Sequence, residues 1–230
     1  MRRIGLIGGT TWLSTADYYR LINLMVNERL GGKEYPEVSL ESINFGDLVR
    51  NNEVNDQPAN ELIFIGAAKR LAAAGVAGIA ICANTPHIFA DAIERETGLP
   101  VVHIAAATTQ AVKASCIRQV GLLGTKILLD SGIYAAALSE AGIECITSNE
   151  ADKDFVHRTI FDELGRGEFT DALRDKYITI INNLKAAGAE GVILGCTEIP
   201  ILFANHEIPI PSFDTTRLHA ASIVDFILAT

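Results

Sequence analysis

The stretch Gly191-Val192-Ile193-Leu194-Gly195-Cys196-Thr197-Glu198-Ile199-Pro200 (GVILGCTEIP) predicts both the fold and the chemistry of this chain. Its first four residues are apolar, which is typical of a strand buried in a parallel sheet. A small residue, a thiol, a hydroxyl and a carboxylate follow directly. A weaker echo lies at 78–87 (GIAICANTPH), where Cys82 also follows an apolar run. Two strands that each end in a cysteine suggest that the two thiols share one reaction.

The echo belongs to a longer internal repeat. The glycines of RIGLIGG (3–9) recur at a constant offset in QVGLLGT (119–125). AAGAEG (186–191) repeats AAGVAG (73–78), and Ile208-Pro209-Ile210-Pro211 resembles Leu99-Pro100-Val101-Val102, which matches Pro209 to Pro100. The offset drifts slowly, as loop deletions in a duplicated unit would make it do. The sequence therefore predicts two similar halves.

Apolar runs and helical periodicity predict the order of elements in the first half. We expect strands at 3–9, 38–43, 78–81 and 99–102, helices at about 16–30, 59–74, 85–96 and 105–115, and an irregular polar segment at 44–57. Ser14 or Thr15 is expected to cap the first helix. A final helix is expected over 213–229, capped by Asp214 or Thr215.

This alternation of strands and helices predicts an α/β fold with parallel sheets flanked by helices. The repeat adds a pseudo-twofold relation between two domains. We assign 1–105 with 214–230 to the first domain and 106–213 to the second. Ligands of parallel sheets bind beyond the carboxyl ends of the strands, so the active site is expected in a cleft between the domains.

The composition excludes several classes of function. The chain has 230 residues, 49% of them hydrophobic, and a net charge of −9, which argues against nucleic acid or a membrane surface as a partner. No apolar run approaches the ~18 residues of a membrane span. The four cysteines contain no CxxC pair, and no His/Asp/Glu cluster has metal-ligand spacing, so we expect no metal. We expect a cytoplasmic protein with reduced thiols.

Two thiols flanking a small ligand suit proton exchange at carbon. One thiolate removes a proton from one face while the other thiol delivers one to the opposite face, which inverts a stereocentre without a cofactor. Both cysteines precede predicted helix starts, and a helix N-terminus lowers a thiol pKa, so we expect one of them to be a thiolate. Donors for the substrate carboxylate are available after the same strands, at Asn84, Thr85, Thr125 and Thr197.

The motifs GLIGG (5–9), CANT (82–85), LGT (123–125), SGIY (131–134) and GCTE (195–198) span nearly the whole chain. In this order they resemble the cofactor-independent aspartate/glutamate racemase family, in its aspartate-racemase branch. The resemblance implies two Rossmann-like domains, Cys82 and Cys196 as the acid/base pair, no cofactor, and a homodimer. It also implies that Asn84, Thr85, Thr125 and Thr197 hold the α-amino and α-carboxylate groups of a small amino-acid substrate.

The sequence says less about the side chain of the substrate than about its α-amino and α-carboxylate groups. We add Gly9 and Thr10, after the first strand, to the substrate-binding set. In racemases of this branch, a basic residue after the second strand binds the side-chain carboxylate, and Arg50 is the candidate here. A second basic residue is implied at Gly165, where this chain has glycine with Arg166 beside it. Aspartate is the expected substrate, with glutamate or a broader range left open.

Other readings stay open beside this one. Glu198 either orients Cys196 or caps a helix, and His87 and His103 are either bases or packing residues. A cysteine-dependent isomerase or decarboxylase of a maleate- or malonate-like diacid is an alternative, although a decarboxylase needs only one protonating thiol. A small-molecule binding protein without catalysis is the other alternative.

Overall fold

The computed structural model describes residues 1–204 and 206–229. Its strands are β1 (Ile4–Gly8), β2 (Val38–Ser42), β3 (Gly78–Ile81), β4 (Val101–Val102), β5 (Gln119–Leu123), β6 (Glu144–Thr147), β7 (Gly191–Leu194) and β8 (Ser212–Asp214). Its α-helices are α1 (Trp12–Leu30), α2 (Phe45–Glu53), α3 (Gln57–Ala73), α4 (Ala90–Thr97), α5 (Ile104–Ala114), α6 (Lys126–Ser131), α7 (Ile133–Glu140), α8 (Glu150–Asp162), α9 (Asp171–Ala186), α10 (Ile199–Leu202) and α11 (Thr215–Leu228). Short 3₁₀ helices occupy Thr85–Phe89 and Leu164–Arg166.

The strands form two four-stranded parallel sheets, which confirms the predicted α/β class. Their orders are β2-β1-β3-β4 and β6-β5-β7-β8, and each pairing is parallel. Every residue of β1, β3 and β7 is buried. These strands read as continuous apolar runs because a parallel sheet is covered on both faces.

The chain divides into two compact units. One comprises Met1–His103 with His219–Thr230, and the other Ile104–Leu218. The second boundary therefore falls inside α11. The first unit takes its last element from the far end of the chain.

The internal repeat is visible residue by residue in the two sheets. Ile4 pairs with Gly78 in the first sheet, as Val120 pairs with Gly191 in the second. A Cβ on Gly5 would lie 3.2 Å from the Leu71 Cβ, and one on Gly121 would lie 3.5 Å from the Leu184 Cβ. Equivalent glycines therefore let equivalent helices, α3 and α9, approach equivalent strands.

The match of Pro209 to Pro100 is wrong by two residues. The Ile79 amide donates to the Pro100 carbonyl, and the Val192 amide donates to the Pro211 carbonyl. Pro211 is thus the counterpart of Pro100. The apolar pattern around Pro209 resembles a strand, but β8 begins only at Ser212. The connection from β7 to β8 is therefore shorter than that from β3 to β4 by two residues, not by the four that a match of Pro209 to Pro100 implies.

Three helix predictions also need correction. Helix α1 begins at Trp12 with Thr11 as its N-cap, because the Thr11 hydroxyl accepts the Ser14 amide. The segment 44–57 is not irregular: Asn44 caps α2, and α3 already begins at Gln57. Helix α11 begins at Thr215, since residues 212–214 form β8.

Helix α11 completes the core of the first unit. Ala220, Ile223, Val224 and Ile227 are each 0% exposed and cluster with β1, β3 and α1. Phe226 closes over the start of β3, where a Cβ on Gly78 would lie 2.6 Å from its ring. The far end of the chain therefore packs against the sheet that carries Cys82.

Candidate active site

Cys82 extends β3 by one residue at the carboxyl end of the first sheet. Its amide donates to the Ile7 carbonyl at 2.9 Å, and its own carbonyl accepts the Ser14 hydroxyl at 2.7 Å. The side chain is 0% exposed and belongs to the core cluster of the first unit. Burial away from water raises the pKa of the Cys82 thiol, because the thiolate loses its hydration.

The turn after Cys82 carries two predicted substrate-binding residues, Asn84 and Thr85. Asn84 is buried and Thr85 opens the 3₁₀ helix. The His87 Nδ1 lies 2.8 Å from the Ala83 carbonyl oxygen and 3.2 Å from that of Asn84. The turn is thus held by a side chain from its own 3₁₀ helix.

The end of β1 approaches the same edge of the sheet. The Gly9 amide donates to the Thr15 hydroxyl at 2.9 Å, and Gly9 has a φ of 93°. A Cβ on Gly9 would lie 2.1 Å from the Ile43 carbonyl oxygen, so only glycine fits. The Thr10 hydroxyl is buried and has no hydrogen-bond partner among the described residues.

A cluster of three histidines lies behind the turn. The ring of His87 packs edge-on against His103 at 4.9 Å and against His219 at 5.1 Å. His219 bridges elements, since Nε2 lies 2.7 Å from the Val102 carbonyl and Nδ1 lies 2.8 Å from the Tyr18 hydroxyl. Burial lowers the pKa of all three imidazoles, that of His219 to about 4.

In the second unit, Cys196, Thr197 and Glu198 form one hydrogen-bonded group. The Cys196 Sγ donates to the Glu198 Oε2 at 2.9 Å, and the Thr197 hydroxyl donates to the same oxygen at 2.7 Å. Glu198 is 5% exposed, whereas Cys196 and Thr197 are half-buried. Desolvation and the Glu198 carboxylate both raise the pKa of the Cys196 thiol.

Thr125 follows the neighbouring strand of that sheet. It caps α6, since its hydroxyl accepts the Leu128 amide at 3.2 Å. The Gly195 amide donates to the Leu123 carbonyl at 2.7 Å, as the Cys82 amide does to Ile7 in the first unit. Cys82 is therefore the counterpart of Gly195, and Cys196 stands one residue further along.

The expectation of a depressed thiol pKa is wrong for both cysteines in this structure. The helices that follow them are a 3₁₀ helix of five residues and α10 of four residues, which provide little macrodipole. Burial acts on both thiols, and on Cys196 a carboxylate adds to it.

The basic residues considered for the substrate side chain lie on the surface. Arg50 is on α2 rather than in a loop, and its exposed guanidinium pairs with Asp47. Gly165 and Arg166 are exposed in the short 3₁₀ helix after α8. Among the described residues, no hydrogen bond or ion pair links Arg50 to the Cys82 turn or Arg166 to the Cys196 turn within the same unit.

Within 1–204 and 206–229, no three His, Cys, Asp or Glu side chains are placed to hold a metal ion. No helix in that part of the chain is long and apolar enough to cross a bilayer. A cavity of about 590 Å³ lies in the second unit beside the end of β7, between Leu194, Phe203 and Asp214, and Cys196 is not among its lining residues.

Sequence reasoning missed the partners that fix these turns. Ser14 was expected only as a cap, yet its hydroxyl holds the Cys82 carbonyl. Thr215 was expected only as a cap as well, yet its hydroxyl donates to the Leu194 carbonyl at 3.0 Å. A hydroxyl near a helix start predicts capping, and nothing local indicates a partner far away in sequence.

Solved structures provide two full-length comparisons. A putative Asp/Glu racemase from Yersinia pestis is 39% identical, covers 100% of both chains and superposes with a TM-score of 0.93. An aspartate racemase homologue from Pyrococcus horikoshii OT3 is 34% identical, also over 100% of both chains, with a TM-score of 0.84.

Sequence comparisons point the same way. A broad specificity amino-acid racemase from Bacillus subtilis is 26% identical over 167 residues, which are 72% of this chain and 71% of that protein. The family model for Asp/Glu/Hydantoin racemase matches residues 7–223. The chain belongs to the Asp/Glu/Hydantoin racemase family and is an isomerase of the racemase class.

Proposed function

We propose that this protein interconverts the L and D forms of an acidic amino acid, with aspartate as the first candidate and glutamate or a broader range next. One observation carries the proposal: the equivalent strands β3 and β7 each lead into a cysteine at the carboxyl end of their sheet. The relatives support the choice of substrate, since they include an aspartate racemase homologue and a broad specificity amino-acid racemase.

The proposed mechanism is a proton exchange between Cys82 and Cys196 without a cofactor. The thiolate on one side takes the Cα proton, and the electron pair of the broken C–H bond delocalises into the substrate carboxylate. The thiol on the other side then protonates Cα, which inverts the centre. The next turnover in the opposite direction begins from the exchanged protonation states.

Glu198 gives Cys196 a route between its two states. The observed Sγ–H donor to Oε2 is the acid form of Cys196. For Cys196 to act as a base, the S–H bond breaks and an O–H bond forms on Glu198, which leaves a thiolate beside a neutral carboxyl group. Glu198 is thereby proposed as the residue that orients Cys196 and holds its proton.

Cys82 has no such carboxylate among its described contacts. Its proton is proposed to pass to the α-amino group of a substrate that enters as the free amine: the S–H bond breaks, an N–H bond forms, and the resulting α-ammonium charge favours the thiolate. The thiol is 0% exposed, so its surroundings must move as the substrate enters.

Donors after the same strands are proposed to bind the α-carboxylate and α-amino groups: Asn84, Thr85, Thr125, Thr197, and Gly9 with Thr10. The buried Thr10 hydroxyl supports this role, since a polar group with no described partner costs stability unless a ligand or water satisfies it.

Arg50 is proposed to bind the side-chain carboxylate in exchange for Asp47. Exposed ion pairs contribute only about 0–1 kcal/mol, so a substrate carboxylate can compete with Asp47. Replacing Arg50 by Ala should then raise KM for aspartate more than KM for a neutral amino acid. Equal changes for both substrates would remove Arg50 from the site.

We also propose a cytoplasmic homodimer. Large apolar side chains on the first unit, such as Trp12 (72% exposed) and Leu62 (69% exposed), support association of two copies. Sedimentation would test the dimer.

The decisive experiment is a chiral assay over the common amino acids in heavy water, with no cofactor added. A two-thiol racemase incorporates deuterium at Cα of its substrate from either enantiomer. Cys82→Ser and Cys196→Ser should each nearly abolish racemisation, whereas Cys116→Ser, at an exposed thiol, should not. The absence of exchange with every amino acid would refute the proposal, and loss of CO₂ from a malonate-like diacid would favour the decarboxylase instead.

A further inference from the structure

We propose that His87 is a positioning residue that aims the backbone N–H groups of Asn84 and Thr85 at the substrate carboxylate. The inference rests on the proposed function and deepens it. His87 itself does not touch the reacting atoms in this proposal. It acts on the peptide groups that follow Cys82.

Three successive carbonyl groups after β3 are each held by a named partner. The Cys82 carbonyl accepts the Ser14 hydroxyl at 2.7 Å. The Ala83 and Asn84 carbonyls face His87 Nδ1 at 2.8 and 3.2 Å, and the Asn84 carbonyl also accepts the His87 amide at 3.2 Å. Two side chains thus determine the orientation of three consecutive peptide groups.

The orientation of a carbonyl fixes that of the N–H in the same peptide. The peptide unit is planar and trans, so its N–H points opposite to its C=O. Because the Ala83 and Asn84 carbonyls turn towards His87, the amides of Asn84 and Thr85 turn away from it. Two adjacent N–H donors with a shared direction are suited to a carboxylate that gains negative charge as the Cα proton leaves.

The contacts also define the tautomer of His87. Both neighbours of Nδ1 are carbonyl oxygens, so Nδ1 carries the proton and donates. A neutral ring then has only a lone pair at Nε2, and that buried atom has no hydrogen-bond partner among the described residues. The ring is 2% exposed. Nδ1 is therefore the atom that acts on the turn, whereas the unpaired Nε2 lowers the stability of the fold.

The surroundings keep His87 neutral. Burial away from water disfavours a positive charge on its ring, and the rings of His103 and His219 pack against it. His219 must donate from Nε2 to the Val102 carbonyl, so its Nδ1 accepts the Tyr18 hydroxyl. The ring of His87 is thus held against His103, which follows β4, and against His219 of α11 without being charged.

The chain offers a matched pair of substitutions. His87→Asn keeps an N–H donor near the position of Nδ1 and removes the unpaired Nε2. His87→Leu has a similar volume and lacks the donor. If the donor is what matters, H87L should lower kcat about 10–1,000-fold with a smaller change in KM, because the lost N–H contacts strengthen as charge develops. H87N should restore most of kcat.

Thermal unfolding of each variant separates positioning from folding. A loss of Vmax in H87L that matches its unfolded fraction would overturn the inference, as would H87N being as inactive as H87L at equal folded fraction, since Nε2 would then be the required atom. Racemisation by the wild-type protein is measured first. Its absence would refute the proposed function, whereas an active wild type with a fully active H87L would refute only the role of His87.

Discussion

Glu198 accepts hydrogen bonds from both residues that precede it, so one carboxylate determines the state of a thiol and of a hydroxyl. A negative charge 2.9 Å from sulfur opposes the thiolate. The same carboxylate accepts the hydrogen bond of the thiol. Glu198 should therefore slow the reaction of Cys196 with an added alkylating reagent but speed racemisation.

Replacing Glu198 by Gln tests this pair of effects. The pKa of Cys196 should fall, because the opposing charge is gone, so iodoacetamide should modify Cys196 faster at a fixed pH near 8. Racemisation should fall about 100-fold or more, since the proposed proton acceptor is lost. Peptide mass spectrometry distinguishes Cys196 from the exposed Cys116. Glu207→Gln, at an exposed carboxylate, is the control, and slower alkylation in E198Q would contradict the argument.

Gly9 tests the close approach of backbone at the end of β1. Gly9→Ala should destabilise the protein by roughly 1–3 kcal/mol more than Gly98→Ala, because the new Cβ would overlap the Ile43 carbonyl, whereas Gly98 has open space. Both glycines have positive φ, so the ~1–2 kcal/mol cost of that conformation is common to the two variants. Equal urea midpoints for the two would show that the Ile43 contact can relax.

At the scale of elements, His219 ties the N-terminal part of α11 to α1 and β4. This tie needs a neutral imidazole. An unfolded histidine has a pKa near ~6.5, whereas burial lowers that of His219 to about 4. The unfolded chain therefore binds more protons between these values, and stability is lost as the pH falls from about 6.5 towards 4.

The protonation of His219 alone is expected to lower the free energy of unfolding by roughly 3 kcal/mol between pH 7 and pH 4. Urea unfolding at several pH values measures it. His219→Gln should flatten the dependence, whereas His206→Gln, at an exposed histidine, should leave it unchanged. An unaltered slope in H219Q would show that other groups cause the acid sensitivity.

Most of the helices and strands could be predicted from the sequence, and both the correct and the wrong predictions have physical reasons. Strands such as β3 and β7 are continuous apolar runs, so the sequence alone identifies them as buried strands. Helix α2 was missed because it exposes most of its surface and buries only Leu48. The start of α11 was misplaced because the apolar Phe213 fits a strand and a helix equally well.

The sequence predicts the residues of the proposed site but not their contacts. The echo between 78–87 and 191–200 predicts a role for both cysteines, and the register of the two sheets places them one residue apart in the repeat. The hydroxyl of Ser14 and the ring of His219 reach the site from other parts of the chain. Such pairings depend on the packing of helices, which local sequence does not encode.

At the scale of the whole molecule, the first unit combines both ends of the described chain, whereas the second is continuous from 104 to 218. Each unit has its own hydrophobic clusters. A destabilising substitution in α11 should therefore loosen the distant segment 1–103 more than the segment directly before α11 in the sequence.

Ile223→Ala should destabilise the first unit by about 2–5 kcal/mol, because a fully buried side chain is truncated in the cluster with β1 and α1. Hydrogen exchange should rise in peptides from 1–103 and much less in those from 104–218. Arg217→Ala, exposed on the same helix, should change neither. A rise confined to 104–218 would contradict this division of the core.

The position of α11 also has a consequence for synthesis on the ribosome. Domains usually fold in the order in which they emerge. Here the segment 1–103 emerges first but lacks Ala220, Ile223, Val224 and Ile227, which close its core. The apolar surface of β1 and α1 therefore stays uncovered while the continuous segment 104–218 leaves the exit tunnel. We expect the second unit to fold first. Chaperones should matter most in the period before residue 227 emerges.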